Sequence, residues 1–487
     1  MAASISLIRR AIYLLTPAVA LCGGWTFVDG ATYEVGTGFP LETLAGVPWP
    51  TLAPGDKVLI HWRAEPYREK IVLECAGTSE APIVIQGVSS SQGEMPVISG
   101  DNALNASPQD FPGDDRSIVK IGDGGASRRE MPAHITLENL EIRSARAPYR
   151  FTRKDGSSAT YRDYAAGVWV QKGSDITVRN CTLHDSANGL LSSPSTSRLT
   201  IEHCYIHGNG LPGSVLCHNT YTESRGVVFQ FNRFGPLMQK SRGNALKDRS
   251  SGTVIRYNWI EGGSRLLDLV DSDGPAIRDD PAYRETYVYG NILLKPDEGL
   301  NNQICHYGGD SGDEAKYRQG TLFFYHNTVV SSMPGGTVLF RCSDKSETVE
   351  AANNILHATS PRGGIALSVG SGTLRFKHNW IKTGWKNSLE TSAAKITADE
   401  NNIGGSHPEF LNIRNEFVPS PTSPVSRLAG PLWPKVESDH PHRGEYLAHQ
   451  QGRTIQSTAI RSAGALQARS ESPSPMTPPE EGRVPSL

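Results

Sequence analysis

Two cations two residues apart, Lys247 and Arg249, are the most informative feature of the sequence. They come just before residues 253–260, an apolar alternation typical of a β-strand. Side chains two apart on a strand share one face, so both charges are expected to point the same way. An ammonium beside a guanidinium can hold a carboxylate and take part in proton transfer. The plainer alternative is a pair of solvated charges that face Asp248 or Glu261.

The strand at 253–260 belongs to an internal repeat. Similar runs are closed by a polar residue at steps of 23 to 36 positions, namely Asn180, His203, Asn232, Asn258, Asn291, Asn327, Asn354 and Asn379. This interval is typical of a solenoid whose coils each contribute short strands. An inward Asn can bond to the Asn above and below it in stacked coils. We therefore predict an all-β, single-stranded parallel β-helix with long loops on one face.

The repeat register predicts which side chains stack outside the helix. Eleven residues before the polar position stand Trp169, Ser192, Tyr221 and Lys247, and two residues further along stand Gln171, Pro194, Glu223 and Arg249. If the connecting turns are equally long, the members of each column lie about 5 Å apart. His218 and Asn219 begin the strand of Tyr221, and the next coil offers Asp268 and Asp271. The sequence therefore predicts one groove that holds these groups.

An aromatic ring, a phenol and two cations in one groove suit an acidic sugar chain. The ring of Trp169 can stack on the apolar face of a sugar, and Arg249 can pair with a uronate carboxylate. β-Elimination requires a base for the proton α to that carboxylate, a cation for the developing enolate and an acid for the leaving oxygen. Lys247 or Tyr221 can take the proton, and we group His218 with them as candidate catalytic residues. Asn219, Glu223 and Asp268 are candidate substrate contacts.

The composition and the two ends of the chain limit the possible functions. The 487 residues carry a net charge of −2, which gives no general case for binding nucleic acid. Residues 1–30 combine Arg9 and Arg10, a short apolar run and a small-x-small cleavage site, which predicts a signal peptide and a short leader. We expect a secreted or periplasmic monomer with no membrane span after cleavage, a β-helix over 31–432 and a disordered tail over 433–487, where apolar periodicity is lost.

The cysteines and acidic residues give weak metal signals. No CxxC or Cys/His spacing indicates zinc. Cys181 and Cys204 each follow a repeat residue and should stack on adjacent coils, as free thiols or as a disulfide. Asp268, Asp271 and Asp273 have the hard oxygen ligands that calcium prefers, although such a loop also bonds to its own turn. We predict no metal or cofactor site and keep Ca²⁺ as the one candidate ion.

Two stretches near the N-terminus resemble a known superfamily. LAPGDKVLIHW at 52–62 and GTSEAPIVIQG at 77–87 resemble the first coils of secreted polysaccharide-active proteins of the pectate-lyase-like superfamily. The resemblance implies a right-handed parallel β-helix.

The central stretch resembles a narrower family. KDRSSGTVIRYN at 247–258 resembles the lysine-bearing coil of alginate lyases and chondroitinase B, in which a lysine abstracts the proton and an arginine on the next coil assists. Lys247 matches the lysine. Asp268 stands at the arginine position, and the calcium-binding carboxylates of the family have no clear counterpart. Arg265, slightly earlier in that coil, is a candidate substrate contact. A looser resemblance is to secreted β-helix proteins with a His-Asn-x-Tyr strand followed one coil later by Lys-x-Arg, as at 218–221 and 247–249.

Four functions remain open at this point. The cationic and phenolic groove favours a lyase that acts on an acidic polysaccharide. A glycoside hydrolase would use carboxylates such as Glu223, Asp268 and Asp271. A uronate C5-epimerase shares the proton abstraction, and the same scaffold also serves non-catalytic glycan-binding proteins.

Overall fold

The computed structural model describes residues 30–105, 111–122, 131–298, 300–411, 417–455 and 461–469. The predicted signal peptide lies almost wholly outside the described residues, and so does the end of the predicted tail. In the described part of the chain no helix is long and apolar enough to cross a membrane.

The strands stack in parallel, coil upon coil, around an apolar core, as a right-handed parallel β-helix. The prediction of the fold is confirmed. The largest sheet has 21 strands: Thr32–Val35, Lys57–His61, Ile71–Leu73, Ile83–Val88, Ser117–Ile121, Ala133–Glu138, Ala166–Arg179, Asn188–Glu202, Thr220–Thr222, Ser224–Gln230, Leu246–Asp248, Ser251–Arg256, Leu267–Leu269, Glu285–Tyr289, Gln303–Tyr307, Thr321–Tyr325, Thr337–Cys342, Thr348–Ala352, Ile365–Gly370, Thr373–Lys377 and Lys395–Ala398.

A second sheet of 11 parallel strands closes each coil: Val97–Ser99, Glu141–Arg143, Thr182–His184, Tyr205–His207, Arg233–Phe234, Trp259–Glu261, Ile292–Lys295, Thr328–Ser331, Ile355–Ala358, Trp380–Lys382 and Ile403–Gly405. Smaller elements lie in the excursions: strands Ala103–Leu104, Arg150–Thr152, Ser158–Thr160, Gly444–Leu447 and Gln451–Thr454, α-helices Pro275–Arg278 and Pro434–Asp439, and 3₁₀ turns Leu44–Gly46, Trp49–Thr51, Asp114–Arg116, Pro281–Arg284 and Glu314–Lys316.

The large sheet consists of two ladders that the long strands Ala166–Arg179 and Asn188–Glu202 join. One ladder runs through Thr220–Thr222, Leu246–Asp248, Leu267–Leu269 and Gln303–Tyr307. We call this ladder the cleft sheet, because its outward side chains line the cleft described below.

An asparagine ladder holds consecutive coils in register. Asn258 accepts hydrogen bonds from the backbone N–H and the side chain of Asn232 at 2.9 and 3.0 Å, and it donates to Asn291 at 2.9 Å. The pattern continues in the same way through Asn327, Asn354, Asn379 and Asn402. Each side chain also satisfies a backbone carbonyl, so no buried amide is left unpaired along this run.

The ladder position predicted from the sequence was wrong by one residue in two coils. Cys181 and Cys204, rather than Asn180 and His203, occupy the ladder position, and the N–H of Cys204 donates to Asn232 Oδ1 at 2.9 Å. Asn180 and His203 precede the ladder position in the left-handed conformation, with φ of 47° and 55°. Asn is favoured in that conformation as well as in the ladder, so its presence alone does not distinguish the two positions. The two cysteines are buried free thiols on adjacent coils.

The described part of the predicted disordered tail is ordered, which corrects that expectation. Residues 417–455 and 461–469 fold back along the β-helix, and we call them the C-terminal clasp. Phe417, Tyr446 and Leu466 pack on the outward Trp259 and Trp380 of the second sheet. Backbone contacts reach from His203 to Asn353. Isolated apolar residues make these contacts, so the sequence of the clasp shows no apolar periodicity.

Removal of one ladder amide should cost much of the stability of the fold. In Asn291→Ala, the amide partners on Asn258 and Asn327 lose their bonds in the core, and we expect the free energy of unfolding to fall by about 2–4 kcal/mol. In Asn180→Gly, which keeps the left-handed backbone outside the ladder, the loss should be below about 1 kcal/mol. Urea unfolding of the two variants tests this, and equal losses would contradict the assignment of the ladder.

The clasp should loosen in acid. His326 and His442 stack with ring centroids 4.5 Å apart, both buried, and burial lowers the pKa of His326 to about 4 and the pKa of His442 well below its ordinary value. An unfolded histidine binds a proton below about pH 6.5, whereas these two do not. Stability should therefore fall as the pH drops from 6.5 towards 4, by up to about 1.4 kcal/mol per pH unit for each ring.

The substitution His442→Phe keeps a ring and removes the titration. Its unfolding free energy should match the wild type above pH 7 and fall less steeply between pH 6.5 and 4. Identical slopes in urea titrations at matched pH values would show that His442 does not contribute.

Candidate active site

The register of the cleft sheet brings the predicted residues together. Tyr221 pairs with Lys247, and Lys247 pairs with Asp268 on the next coil. The column begins with Trp169 and continues beyond Asp268 to His306. The predicted adjacency of Tyr221 and Lys247 is confirmed, and so is Asp268 as the residue that follows them.

One member of the predicted column is wrong. Leu191, not Ser192, stands between Trp169 and Tyr221. The pairing of strands Ala166–Arg179 and Asn188–Glu202 shifts between Val170 and Lys172, so counting back from the polar position misplaces the residue.

The outward face of these coils forms the floor of a cleft of about 690 Å³. Tyr221, Lys247, Arg249, His218 and Asp268 line it, and so do Trp169, Glu223 and Arg265. Loops at 215–216, 242–244 and 264–265 form the rim, and Asp310 reaches in from the excursion between Gln303–Tyr307 and Thr321–Tyr325. Asn219 is not among the lining residues.

Lys247 lies between two carboxylates and is only 7% exposed. Its Nζ donates to Asp268 Oδ2 at 2.8 Å and to Asp310 Oδ2 at 2.6 Å. Burial lowers the pKa of an ammonium, but Asp268 and Asp310 outweigh that effect and raise the pKa of Lys247 above its ordinary value. Lys247 is therefore held as an ammonium, which argues against its predicted role as the base in this arrangement.

Asp310 bridges the two cations. Its other oxygen, Oδ1, accepts a hydrogen bond from Nη2 of Arg249 at 2.7 Å. Burial tends to raise the pKa of Asp310, and the two cations together bring it below its ordinary value. Asp271 positions the loop, because its Oδ1 accepts from the N–H of Asp310 at 2.7 Å and its backbone carbonyl accepts from Arg249.

Asp268 is the most heavily bonded carboxylate of the cleft. It is 1% exposed and accepts from Lys247, from Asn244 Nδ2 at 2.8 Å and from His306 Nδ1 at 2.9 Å. Burial raises its pKa, but the hydrogen bond from His306 and the charge of Lys247 bring the pKa far below the ordinary range. Arg265 is 3.4 Å from its Oδ1. Asp268 therefore holds the cations in place and has no proton to donate.

His218 is a neutral hydrogen-bond donor. It is 2% exposed, and its Nδ1 accepts the backbone N–H of Asn244 at 2.9 Å, so the ring proton is on Nε2. Burial and the nearby Lys247 lower its pKa to about 3. His218 therefore cannot take a proton at Nδ1, and its Nε2 side is suited to donating to a ligand.

Tyr221 lies over the cations. Its ring centroid is 5.8 Å from Lys247 Nζ and 5.7 Å from Arg249 Cζ, and the ring meets His218 edge to face. Burial raises the pKa of the phenol, and Arg249 and Lys247 oppose that rise. Of the two predicted bases, Tyr221 is the one that has cations as its nearest charged neighbours, whereas Lys247 is bonded to two carboxylates.

Three residues predicted to contact the substrate instead bond to or stack on other groups of the protein. Asn219 is fully buried and bonds to Gly235 and Asn209, so that prediction is wrong. Trp169 is 4% exposed with Arg116 stacked 4.1 Å from its ring centroid, so its ring does not offer a free face to a sugar. Glu223 accepts from Ser272 Oγ at 2.5 Å and from two backbone N–H groups, and so holds the loop at 272–274.

The calcium candidates are occupied by protein partners. Asp268 and Asp271 face Lys247 and Arg249, and the third candidate, Asp273, is exposed, with its backbone N–H bonded to Glu223. Among the residues that the structure describes, no group of His, Cys, Asp and Glu is arranged to hold a metal ion.

Sequence reasoning missed Asp310 and Arg116. Asp310 lies in the glycine-rich excursion, outside any repeat, and only the fold brings it to Lys247. Arg116 precedes Ser117–Ile121, a strand of the cleft sheet within a region whose composition is that of a loop. The signal that was available is the apolar run at 118–121, which is short but strand-like.

Comparison with known proteins identifies the fold. A family model described as a right-handed β-helix region matches residues 132–280. No curated protein matches the chain significantly.

Similar solved structures include an alginate lyase from Paenibacillus sp. str. FPU-7, at 12% identity and TM-score 0.44 over 66% of this chain and 94% of that chain. Pectate lyase Pel9A has 12% identity and TM-score 0.47 over 91% and 97%. The GH136 lacto-N-biosidase from Eubacterium ramulus has 14% identity and TM-score 0.40 over 77% and 67%. These identities and TM-scores are too low to say anything about the reaction, which must be read from the cleft itself.

Proposed function

We propose that the protein cleaves a uronate-containing polysaccharide by β-elimination in the cleft around Tyr221, Lys247 and Arg249. The observation that carries the proposal is the carboxylate of Asp310, held at 2.6 Å by Lys247 and at 2.7 Å by Arg249 beside a phenol. A uronate carboxylate that displaces Asp310 meets the same two cations. Charge-assisted hydrogen bonds of this kind are strong in a half-buried site.

The residues divide the reaction as follows. Arg249 and Lys247 neutralise the uronate carboxylate and stabilise the enolate that forms when C5 loses its proton. Tyr221 accepts that proton in its phenolate form, which Arg249 and Lys247 stabilise against the effect of burial. The electron pair forms the C4=C5 double bond, and the bond from C4 to the glycosidic oxygen breaks. Tyr221 then returns the proton to the leaving oxygen, and His218 donates a hydrogen bond from Nε2 to the sugar.

The charges of the cleft favour elimination over hydrolysis. Asp268 and Asp310 bond to the same ammonium at 2.8 and 2.6 Å, so their oxygens lie close enough for a pair of hydrolytic carboxyls. A hydrolase also needs one carboxyl with a raised pKa as the acid. The cations lower the pKa of both groups, so neither is suited to that role.

We propose further that the chain is exported. The support is the basic and apolar pattern at the N-terminus, with its small-residue cleavage site. A polymeric acidic substrate fits that location.

Tyr221→Phe and Lys247→Met should abolish the formation of unsaturated product. With a panel of uronate polysaccharides, the wild type should raise ultraviolet absorbance, and Tyr221→Phe should lower kcat at least about 100-fold because the proton acceptor is gone. Arg198→Gln, an exposed control outside the cleft, should behave as the wild type. New reducing ends without absorbance would indicate hydrolysis, altered uronate configuration would indicate epimerisation, and binding alone would indicate a glycan-binding protein.

Asp310→Asn should improve substrate binding. The amide competes less well for Lys247 and Arg249, so KM should fall about tenfold while kcat is maintained. Steady-state kinetics on the polymer that gives product in the panel measures both quantities. A large loss of kcat in a folded Asp310→Asn variant would instead make Asp310 itself the proton acceptor.

A further inference from the structure

Arg116 lies at the far end of the same cleft. It ends the 3₁₀ turn Asp114–Arg116, and its Cζ lies 4.1 Å from the ring centroid of Trp169 and 5.0 Å from that of Tyr164. The guanidinium is thus held between two aromatic rings and lines the cleft wall. Stacking of this kind fixes the plane of the group and leaves its N–H edge available.

The positive charge of Arg116 is not matched by a carboxylate. Asp114 pairs with Arg153 at 2.9 Å, and Asp115 pairs with Arg162 at 2.8 Å. Within the described residues Arg116 itself has no ion pair, and its Nε is buried without a hydrogen-bond partner.

Three other cations of the cleft have carboxylate partners, whereas Arg116 and the exposed Arg242 of the rim have no ion pair among the described residues. Lys247, Arg249 and Arg265 each lie within 3.4 Å of a carboxylate oxygen. A half-buried guanidinium without a carboxylate partner is costly unless a ligand supplies the opposite charge. Arg116 therefore has the features of an anion-binding group for which the protein supplies no anionic partner.

The strand register of the cleft sheet gives the distance between Arg116 and the proposed reaction centre at Lys247. Trp169, against which Arg116 stacks, is three steps of the cleft sheet from Lys247, by way of Leu191 and Tyr221. Three strand spacings amount to about 14 Å. The exposed side chains of Val215 and Leu216 line the cleft with these residues and offer apolar surface to sugar rings. A polysaccharide that follows the helix axis passes both cationic sites.

We propose that Arg116 forms a second anion-binding subsite, which takes the carboxylate or sulfate group of a sugar roughly three residues from the one at Lys247 and Arg249. The cleft then selects chains by their length and by the spacing of their charges. The placement of a uronate at Lys247 rests on the proposed function, whereas the anion site at Arg116 does not require catalysis.

Titration calorimetry with oligouronates from dimer to hexamer tests the subsite. The wild type should show a step in affinity once the chain is long enough to reach Arg116. Arg116→Gln should remove the step and weaken hexamer binding about tenfold, with dimer binding unchanged. Arg150→Gln, an exposed arginine of a neighbouring excursion outside the cleft, should keep the step. A hexamer of a neutral sugar sulfated at one end separates sulfate from carboxylate as the preferred group.

The outcomes separate the two proposals. A step that depends on Arg116 in a protein that cleaves none of the uronate chains supports the subsite and overturns the lyase. Cleavage that Tyr221→Phe abolishes, with equal hexamer affinity for Arg116→Gln and wild type, overturns the subsite and supports the lyase. A loss of affinity in Arg116→Gln that is equal for dimer and hexamer also overturns the subsite. Failure of every oligosaccharide to bind overturns the subsite as well.

Discussion

The bonds between stacked asparagine side chains are the constraint on which the rest of the molecule depends. Each amide joins one coil to the next and satisfies a carbonyl of the turn, so neither the rotation nor the height of a coil is free to drift. Because the inward position is fixed, the outward positions repeat at strand spacing. The alignment of Tyr221, Lys247 and Asp268 in one column follows from that regularity.

The cleft applies a different constraint, since charges taken out of water require partners. Its central cations are neutralised by Asp268, Asp271 and Asp310, and this arrangement decides their protonation states more strongly than burial does. The same carboxylates hold Lys247 as an ammonium, and for this reason Tyr221 is the proposed base. Arg116 lies outside this network and has no ion pair among the described residues, because the neighbouring Asp114 and Asp115 pair with other arginines.

The sequence was informative where the geometry is periodic. The repeat of strand and polar residue predicted the solenoid, and counting from Asn232 and Asn258 placed Tyr221 beside Lys247 correctly. Counting from His203 failed, because that residue occupies the left-handed position before the ladder and because the strand pairing shifts near Lys172. The inward direction of Asn219 also depends on local register, and the motif His-Asn-x-Tyr does not reveal it.

Contacts made by excursions could not be predicted in the same way. Asp310 is 63 residues from Lys247 in the chain and meets it only because the excursion that carries Asp310 folds over the cleft sheet. The clasp likewise uses single aromatic side chains against the outward surface of distant coils, and no pattern in its own sequence reports them. Loop length and composition indicate where such segments leave the solenoid, but not where they return.

The clasp changes how a solenoid of this kind can assemble. A stack of coils with contacts only between neighbours can begin to form at either end and grow one coil at a time. Here the described residues of the clasp rest on coils from the middle of the chain, from His203 to Asn353. The outer surface of those coils therefore stays uncovered until synthesis is almost finished. The contacts of the clasp give the protein a higher contact order than its repeats alone would give, so the native state forms late and as a unit.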